Sequence, residues 1–160
     1  MTTNDAEAPP TRGPQHEALA AFLGRWTATG NSFGIPKQSV DDPKGNPQPW
    51  KSTVMASWYT GKFFLVQDER ATSGGNPFDT ISIMGVDAKT DRYFARAFEN
   101  HGFYRHYDVS RTGRVWTFTG ETERARIEFS EDERHQTITW EWRPTDRWLP
   151  LCDRVAVRQD

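Results

Sequence analysis

The spacing of apolar side chains along this chain changes at Trp26. Before it, Leu19, Phe22 and Leu23 lie at positions i, i+3 and i+4, which predicts a short amphipathic helix. Gly24 follows directly and is well placed to end that helix. After Trp26, apolar and polar residues alternate, and this two-residue period is typical of strands with one buried face.

This alternation continues to the end of the chain and predicts ten strands. The predicted strands cover residues 25–33, 50–59, 62–71, 80–86, 92–99, 103–109, 115–119, 124–129, 137–143 and 149–158. A polar loop separates the first two strands, and most other connections are short, such as the hairpin turn at residues 87–91. Short strands joined by hairpins, without crossover helices, predict an antiparallel meander.

An all-β meander of this length either closes on itself or splits into two packed sheets. Closure removes the unpaired edges, so we expect an up-and-down barrel of eight to ten strands. A barrel of that size can hold one small ligand. A two-sheet sandwich is the structural alternative. We expect one domain over residues 15–160, preceded by a proline-containing, disordered leader at residues 1–14.

Composition narrows the classes of function. The chain has 160 residues, 13% of them aromatic, so rings must supply much of the buried area. The net charge of −2, without a basic stripe, argues against nucleic acid as a partner. Cys152 is the single cysteine, which excludes an intramolecular disulfide and a four-cysteine zinc site. The chain shows neither a secretory h-region nor an apolar span, so we expect a cytoplasmic protein without a membrane partner.

Three longer stretches have a recognisable pattern: ASWYTGKFFLVQDE at residues 56–69, GNPFDTISIMGVDAKTDRYFARAFEN at residues 75–100 and GRVWTFTGE at residues 113–121. They resemble elements of DUF1579, a bacterial family of uncharacterised proteins. The G-x-W motif at residues 24–26 is similar to the opening of lipocalin-like (calycin) barrels. The resemblance implies a lipocalin-like barrel in which Trp26 plugs the base. It implies no established activity.

The inward face of each strand supplies the candidate ligand contacts. If Trp26 points inward, so do Ala28, Gly30 and Ser32, and these small residues keep the interior open. The faces of strands 92–99 and 103–109 stay undecided, because a one-residue shift exchanges them. An inward Arg96 would require a carboxylate or an anionic ligand. The candidate ligand-binding residues are Trp58, Phe64, Arg96, Phe98, His101, Trp116, Trp140 and Trp142.

The stretch NHGFYRHYDVS, residues 100–110, holds the candidates for acid–base chemistry. His101 and His106 are an odd number of residues apart, so on one strand they face opposite sides and cannot share a metal. Tyr104 and His106 share a face, which is either solvated or a hydrogen-bond donor beside a general base. Glu99 is either a pocket carboxylate or the end of a hairpin in water.

Three functions remain open after these observations. The first is a barrel that binds a small hydrophobic or aromatic molecule and needs no cofactor. The second is a cofactor-independent cyclase or isomerase that uses Tyr104, His106 and Glu99, with Arg96 beside them. The third is a haem-binding, nitrobindin-like protein, for which His135 is the C-terminal histidine. A homodimer through the barrel faces also stays open.

Overall fold

The computed structural model describes residues 6–34 and 37–160. A short helix, α1 (Pro14–Ala18), continues into a 3₁₀ turn, Leu19–Phe22. The strands are β1 (Gly24–Ser32), β2 (Gln48–Trp58), β3 (Phe64–Ser73), β4 (Asn76–Pro77), β5 (Thr80–Asp87), β6 (Arg92–Glu99), β7 (Tyr104–Thr112), β8 (Val115–Thr119), β9 (Glu123–Phe129), β10 (His135–Trp142) and β11 (Leu149–Gln159).

The strands form one closed antiparallel barrel. Around the ring the order is β1, β2, β3, β5, β6, β7, β8, β9, β10 and β11, and β11 pairs again with β1. The pairing of β2 with β3 completes the closure, while the two-residue β4 only extends the end of β3. The predicted up-and-down barrel is therefore confirmed, and the sandwich is excluded.

Local backbone conformation explains where the strand boundaries differ from the prediction. β3 begins at Phe64 instead of residue 62, because Gly61 and Lys62 both adopt left-handed conformations, with φ of +94° and +60°. Such residues cannot continue a strand ladder. The predicted hairpin at residues 87–91 forms as expected, and the Asp87 carboxylate accepts hydrogen bonds from the backbone N–H groups of Lys89 and Thr90.

Aromatic rings fill the half of the barrel that the N-terminal helix covers, which we call the closed half. Trp26 is only 1% exposed, and its Nε1 donates a hydrogen bond to the carbonyl of Phe22 at 3.0 Å. The Phe22 ring packs edge-on against Trp116 and Phe129, at 5.1 and 5.0 Å between ring centres. The inward position of Trp26, which the resemblance implied, is thus present. Ala28 and Ser32 are buried on the same face.

Arg12, just before the helix, and the helix itself contact the barrel. The Arg12 guanidinium donates to the carbonyl of Lys62 at 2.9 Å and lies 5.3 Å from the centre of the Trp58 ring. Within the helix, the carbonyl of Gln15 accepts a hydrogen bond from Tyr93 at 2.8 Å. Of the predicted leader, residues 1–5 lie outside the described residues, and Arg12 contacts the closed half.

Within the described residues, neither helical segment is long or apolar enough to span a bilayer.

Candidate functional site

The other half of the barrel interior, the open half, carries charged residues among rings. The Arg154 guanidinium, on β11, lies 4.1 Å from the centre of the Trp50 ring on β2. Its Nη1 also pairs with the Glu69 carboxylate of β3 at 2.8 Å. The two side chains of this ion pair are only 11% and 20% exposed. We call Trp50, Ser52, Glu69 and Arg154 the polar cluster.

Gly30 makes the contact between Trp50 and Arg154 geometrically possible. In the barrel register Gly30 lies directly opposite Trp50 on one side and Arg154 on the other. It has no side chain, so the ring and the guanidinium from the flanking strands can meet over it. A Cβ on Gly30 would lie 1.9 Å from the backbone oxygen of Asp153, so any side chain there would push β1 away from β11.

The polar cluster contains buried polar atoms that have no hydrogen-bond partner among the described residues. They are Nε1 of Trp50, Oγ of Ser52 and Nε of Arg154. Trp50 and Ser52 are 5% and 7% exposed. Leaving such an atom unpaired costs about 1–3 kcal/mol, so buried polar groups normally find a partner. The polar cluster therefore keeps hydrogen-bonding capacity that the described residues leave unused.

A ring contact connects the polar cluster to the opposite wall of the open half. Trp50 forms a cluster with Ala71 and Cys152, Phe78 and Trp140 pack against this cluster, and the Trp140 ring lies 5.5 Å from that of Tyr107 on β7. Burial raises the pKa of the Cys152 thiol, so this cysteine is a packing residue and a poor nucleophile. Aromatic surface thus surrounds the polar cluster.

The barrel wall has a gap beside Tyr107. β7 pairs with β8 only from Asp108 onward, where it lies opposite Thr119, so residues 104–107 have no β8 neighbour. A hollow of about 320 Å³ lies there, lined by residues 104–107 and 120–123. Tyr107 and Glu123 face inward on their strands, so the hollow reaches the inner surface of the barrel.

Three side chains at this gap, those of Tyr107, Arg105 and Glu123, contact one another. Tyr107 donates its hydroxyl proton to the Glu123 carboxylate at 2.9 Å, and Arg105 lies 3.5 Å from the other oxygen of the same carboxylate. Burial, together with the nearby Glu123 charge and this hydrogen bond, raises the pKa of Tyr107 well above its usual range. Tyr107 is therefore a hydrogen-bond donor and stays protonated at physiological pH.

Glu99 closes the turn between β6 and β7. Its carboxylate accepts hydrogen bonds from the backbone N–H groups of His101 and Phe103, each at 3.1 Å, and pairs with His101 Nδ1. Burial by itself would raise the pKa of Glu99, but the hydrogen bonds from His101 and the two backbone groups outweigh it and lower that pKa. This carboxylate therefore holds a turn in its ionised form.

Replacing Glu99 with glutamine is expected to destabilise the protein at neutral pH by about 1–2 kcal/mol, because charge-assisted hydrogen bonds are lost. The folded-state pKa of Glu99 is lowered, so its contribution is complete above the unfolded-state pKa of about 4.3 and is lost as pH falls through the lower folded value. Urea denaturation from pH 7 to pH 3 should show the two proteins converging in acid. Glu131→Gln, at an exposed turn residue, is the control. A Glu99→Gln deficit that stays constant with pH would contradict this account.

Three of the predicted ligand contacts lie on the outer surface of the barrel. Arg96 and Phe98 alternate with the inward Ala95 and Ala97 on β6, and Phe98 is 49% exposed. Phe64 is outward at the start of β3, where its ring lies 6.3 Å from that of Phe94. These residues do not line the interior. The prediction placed them there because bulky rings usually mark the buried face, but here alanines occupy it.

The remaining predicted contacts divide between the two ends. Trp116 belongs to the closed half, where it is 1% exposed, and Trp58 lies beside Arg12 at the same end. Trp140 faces the open half. Trp142 lies at its rim and donates to Gln38 Oε1 at 2.7 Å, which ties residues after the first strand to the open end. His101 lies on the rim turn, 5.3 Å from the Phe78 ring.

The predicted acid–base residues do not converge on one point. Tyr104 and His106 are on the exposed face of β7 and line the outer side of the hollow. Glu99 is engaged by its own turn, and Arg96 lies opposite His106 on the outer surface. His135, the residue considered for haem, is exposed at the start of β10. Among residues 6–34 and 37–160, no group of three His, Cys, Asp or Glu side chains is arranged to hold a metal.

Sequence reasoning did not select Glu69 or Arg154, the ion pair of the polar cluster. One signal could have found Arg154: β1 and β11 are neighbours in a closed meander, and residues opposite each other share a face. Trp26 pairs with Arg158 and Ala28 with Ala156. An inward Trp26 therefore requires an inward Arg154. Glu69 has a similar signal, since it alternates with Leu65 and Ala71 on β3.

Two solved structures are similar to this chain. An S-type phycobiliprotein lyase, CPES from Guillardia theta, shares 11% identity over 93% of this chain and 94% of its own, with a TM-score of 0.50, and this likeness concerns the fold alone. A de novo designed fluorescence-activating β-barrel shares 12% identity over 89% of this chain and 97% of its own, with a TM-score of 0.44. Among curated proteins no significant match was found. The sequence profile of DUF1579, described as a protein of unknown function, matches residues 11–143, and the chain therefore belongs to the DUF1579 family.

Proposed function

We propose that this protein binds a small molecule with a flat aromatic or hydrophobic body in the open half of its barrel. The observation that carries the proposal is the set of buried, unpartnered polar atoms on Trp50, Ser52 and Arg154. Small-molecule sites are typically apolar surfaces with a few convergent polar groups. The rings of Trp50, Phe78 and Trp140 supply such a surface, and the polar cluster supplies the groups.

The hollow beside Tyr107 supports the same proposal, because it offers a ligand a route into the barrel. Its volume of about 320 Å³ falls at the lower end of ligand-site sizes. It lies between residues 104–107 and the turn at residues 120–123, where the strand ladder is interrupted. A ligand that enters there passes Tyr107, whose ring is in contact with Trp140 and thus with the open half.

Small-molecule binding explains the arrangement of these side chains better than acid–base catalysis or haem binding does. Catalysis by acid–base residues requires at least two of them within reach of one substrate. Glu99 is engaged by its own turn, and Tyr104, His106 and Arg96 lie on the outer surface of the barrel. The inward Tyr107 has a raised pKa and stays protonated, so it cannot serve as a general base. The exposed position of His135 offers a haem no enclosed pocket.

A tryptophan substitution tests the site directly. The probe is 6-propionyl-2-(dimethylamino)naphthalene, a flat dye whose emission shifts to the blue in apolar surroundings. Trp50→Phe keeps a ring but removes Nε1, so we expect the dissociation constant to rise about fivefold, since one hydrogen bond contributes about 1 kcal/mol. Fluorescence titration measures it.

The matched control is Trp148→Phe, because Trp148 lies under the guanidinium groups of Arg124 and Arg143 at 4.3 and 5.3 Å, away from the polar cluster. This variant should bind the dye as the wild type does. The proposal fails if Trp50→Phe and Trp148→Phe bind equally well. It also fails if neither the dye nor a panel of flat aromatic metabolites binds the wild type.

A further inference from the structure

We propose that the polar end of the ligand is an uncharged hydrogen-bond acceptor, namely a ketone, ester or lactam carbonyl conjugated to its flat ring. This inference rests on the proposed binding function and deepens it by naming the ligand class. The carbonyl oxygen accepts from Trp50 Nε1 and Arg154 Nε.

The chemistry of the unpartnered nitrogen atoms sets the kind of partner. An indole Nε1 and a guanidinium nitrogen can donate but cannot accept a hydrogen bond. Both of these atoms in the polar cluster are buried and have no acceptor within residues 6–34 and 37–160. The hydroxyl of Ser52 can act in either direction. A ligand that satisfies the polar cluster must therefore bring an acceptor, whereas an amine or ammonium group would leave both nitrogen atoms unpaired.

The charge balance of the polar cluster decides between a carbonyl and a carboxylate. Arg154 already pairs with Glu69 at 2.8 Å, so the formal charge of the two side chains is zero. The other arginines at inward positions are not available to the polar cluster. Arg105 lies beside Glu123, while Arg158 and Arg111 lie 5.6 and 5.7 Å from the centres of the Trp26 and Trp116 rings in the closed half. A ligand carboxylate would lose its hydration and meet Glu69 without an additional cation. A carbonyl gains the same hydrogen bonds without that repulsion.

The position of Arg154 is fixed before any ligand arrives. Its guanidinium is held between the Glu69 carboxylate and the face of the Trp50 ring, at 4.1 Å from the ring centre. A planar guanidinium with both contacts loses little conformational freedom on binding. Its free Nε can therefore select an acceptor by position as well as by charge.

Three probes of similar shape separate the outcomes. They are 2-acetylnaphthalene, which has a neutral carbonyl, 2-naphthoate, which has a carboxylate, and 2-ethylnaphthalene, which has no acceptor. We expect 2-acetylnaphthalene to bind the full-length protein at least about tenfold more tightly than either of the others, measured by tryptophan quenching at pH 7.5 and fixed ionic strength.

Two other results would overturn the inference about the carbonyl but would still support the proposed binding function. They are tighter binding of 2-naphthoate than of 2-acetylnaphthalene, and equal binding of 2-ethylnaphthalene and 2-acetylnaphthalene. If none of the three probes binds, the proposed function itself fails.

A charge variant tests the electrostatic part separately. Glu69→Gln makes the polar cluster formally positive, so 2-naphthoate should bind about tenfold more tightly than it does to the wild type, while 2-acetylnaphthalene changes little. Asp68→Asn, on the same strand but paired outside with Arg70, is the matched control and should change neither affinity. Unchanged 2-naphthoate binding in Glu69→Gln would contradict the inference. If Glu69→Gln does not fold, as judged by circular dichroism, the three-probe comparison on the wild type decides.

Discussion

Replacing Trp26 with alanine is expected to lower the free energy of unfolding by about 3–5 kcal/mol, the range measured when a buried tryptophan or phenylalanine is truncated. The side chain is 1% exposed and contacts Phe129 and the helix-derived Phe22. Its loss removes both ring packing and the hydrogen bond that ties the 3₁₀ turn to the first strand. For a chain of 160 residues this corresponds to a fall in Tm of about 10 °C.

Urea denaturation and calorimetry measure this effect. Trp148→Ala is the control, because Trp148 lies among surface arginines, and we expect it to cost no more than about 1 kcal/mol. If Trp26→Ala were as mild as this control, the closed half would not depend on Trp26 as its plug. The helix would then be held mainly by the Arg12 and Tyr93 contacts.

Replacing Arg154 with methionine is expected to cost about 3 kcal/mol of stability, because it leaves the largely buried Glu69 without its cation. The size of the aliphatic side chain is roughly preserved, so little of the loss comes from packing. The double variant Arg154→Met/Glu69→Leu removes the stranded charge as well. It should return to within about 1 kcal/mol of the wild type, since buried ion pairs contribute little net stability.

The comparison is a double-mutant cycle in urea. The outer pair of Arg70 and Asp68 serves as the reference, and Arg70→Met should change stability by no more than about 0.5 kcal/mol. A double variant as unstable as Arg154→Met alone would show that Arg154 acts through its contact with the Trp50 ring and not through Glu69.

Strand count, direction and closure followed from local patterning. The two-residue alternation after Trp26 and the polar turns between strands are properties of neighbouring residues, and such properties are readable from a single chain. Closure followed because a long antiparallel meander would otherwise leave exposed edges. One boundary error, at the start of β3, came from two consecutive residues with positive φ, one of them the non-glycine Lys62.

The face of β6 shows where local patterning was insufficient. Phe94 and Phe98 alternate with Ala95 and Ala97, and the structure puts the alanines inside. Ala95 lies between Met84 and Tyr107 on the neighbouring strands, whose large side chains already fill that level of the barrel. The volume available inside is shared by all strands, so the size of residue that fits depends on partners far away in the sequence.

The last strand, β11, is a second case in which local patterning was insufficient, and it concerns the candidate binding site. By composition the face of β11 with Val155 and Val157 is the more apolar one, yet both valines are exposed and Arg154 faces inward. Pairing with β1 fixes this choice, since Ala28 and Ala156 lie opposite each other.

By itself, the sequence determined an antiparallel barrel with a helix at one end, because alternation and turn chemistry act over a few residues. Only the tertiary structure brought Arg154 of the last strand to Trp50 and Glu69 of β2 and β3, over Gly30. The physical reason is that register and closure bring distant residues into contact, and a buried charge is tolerated only where such a partner arrives.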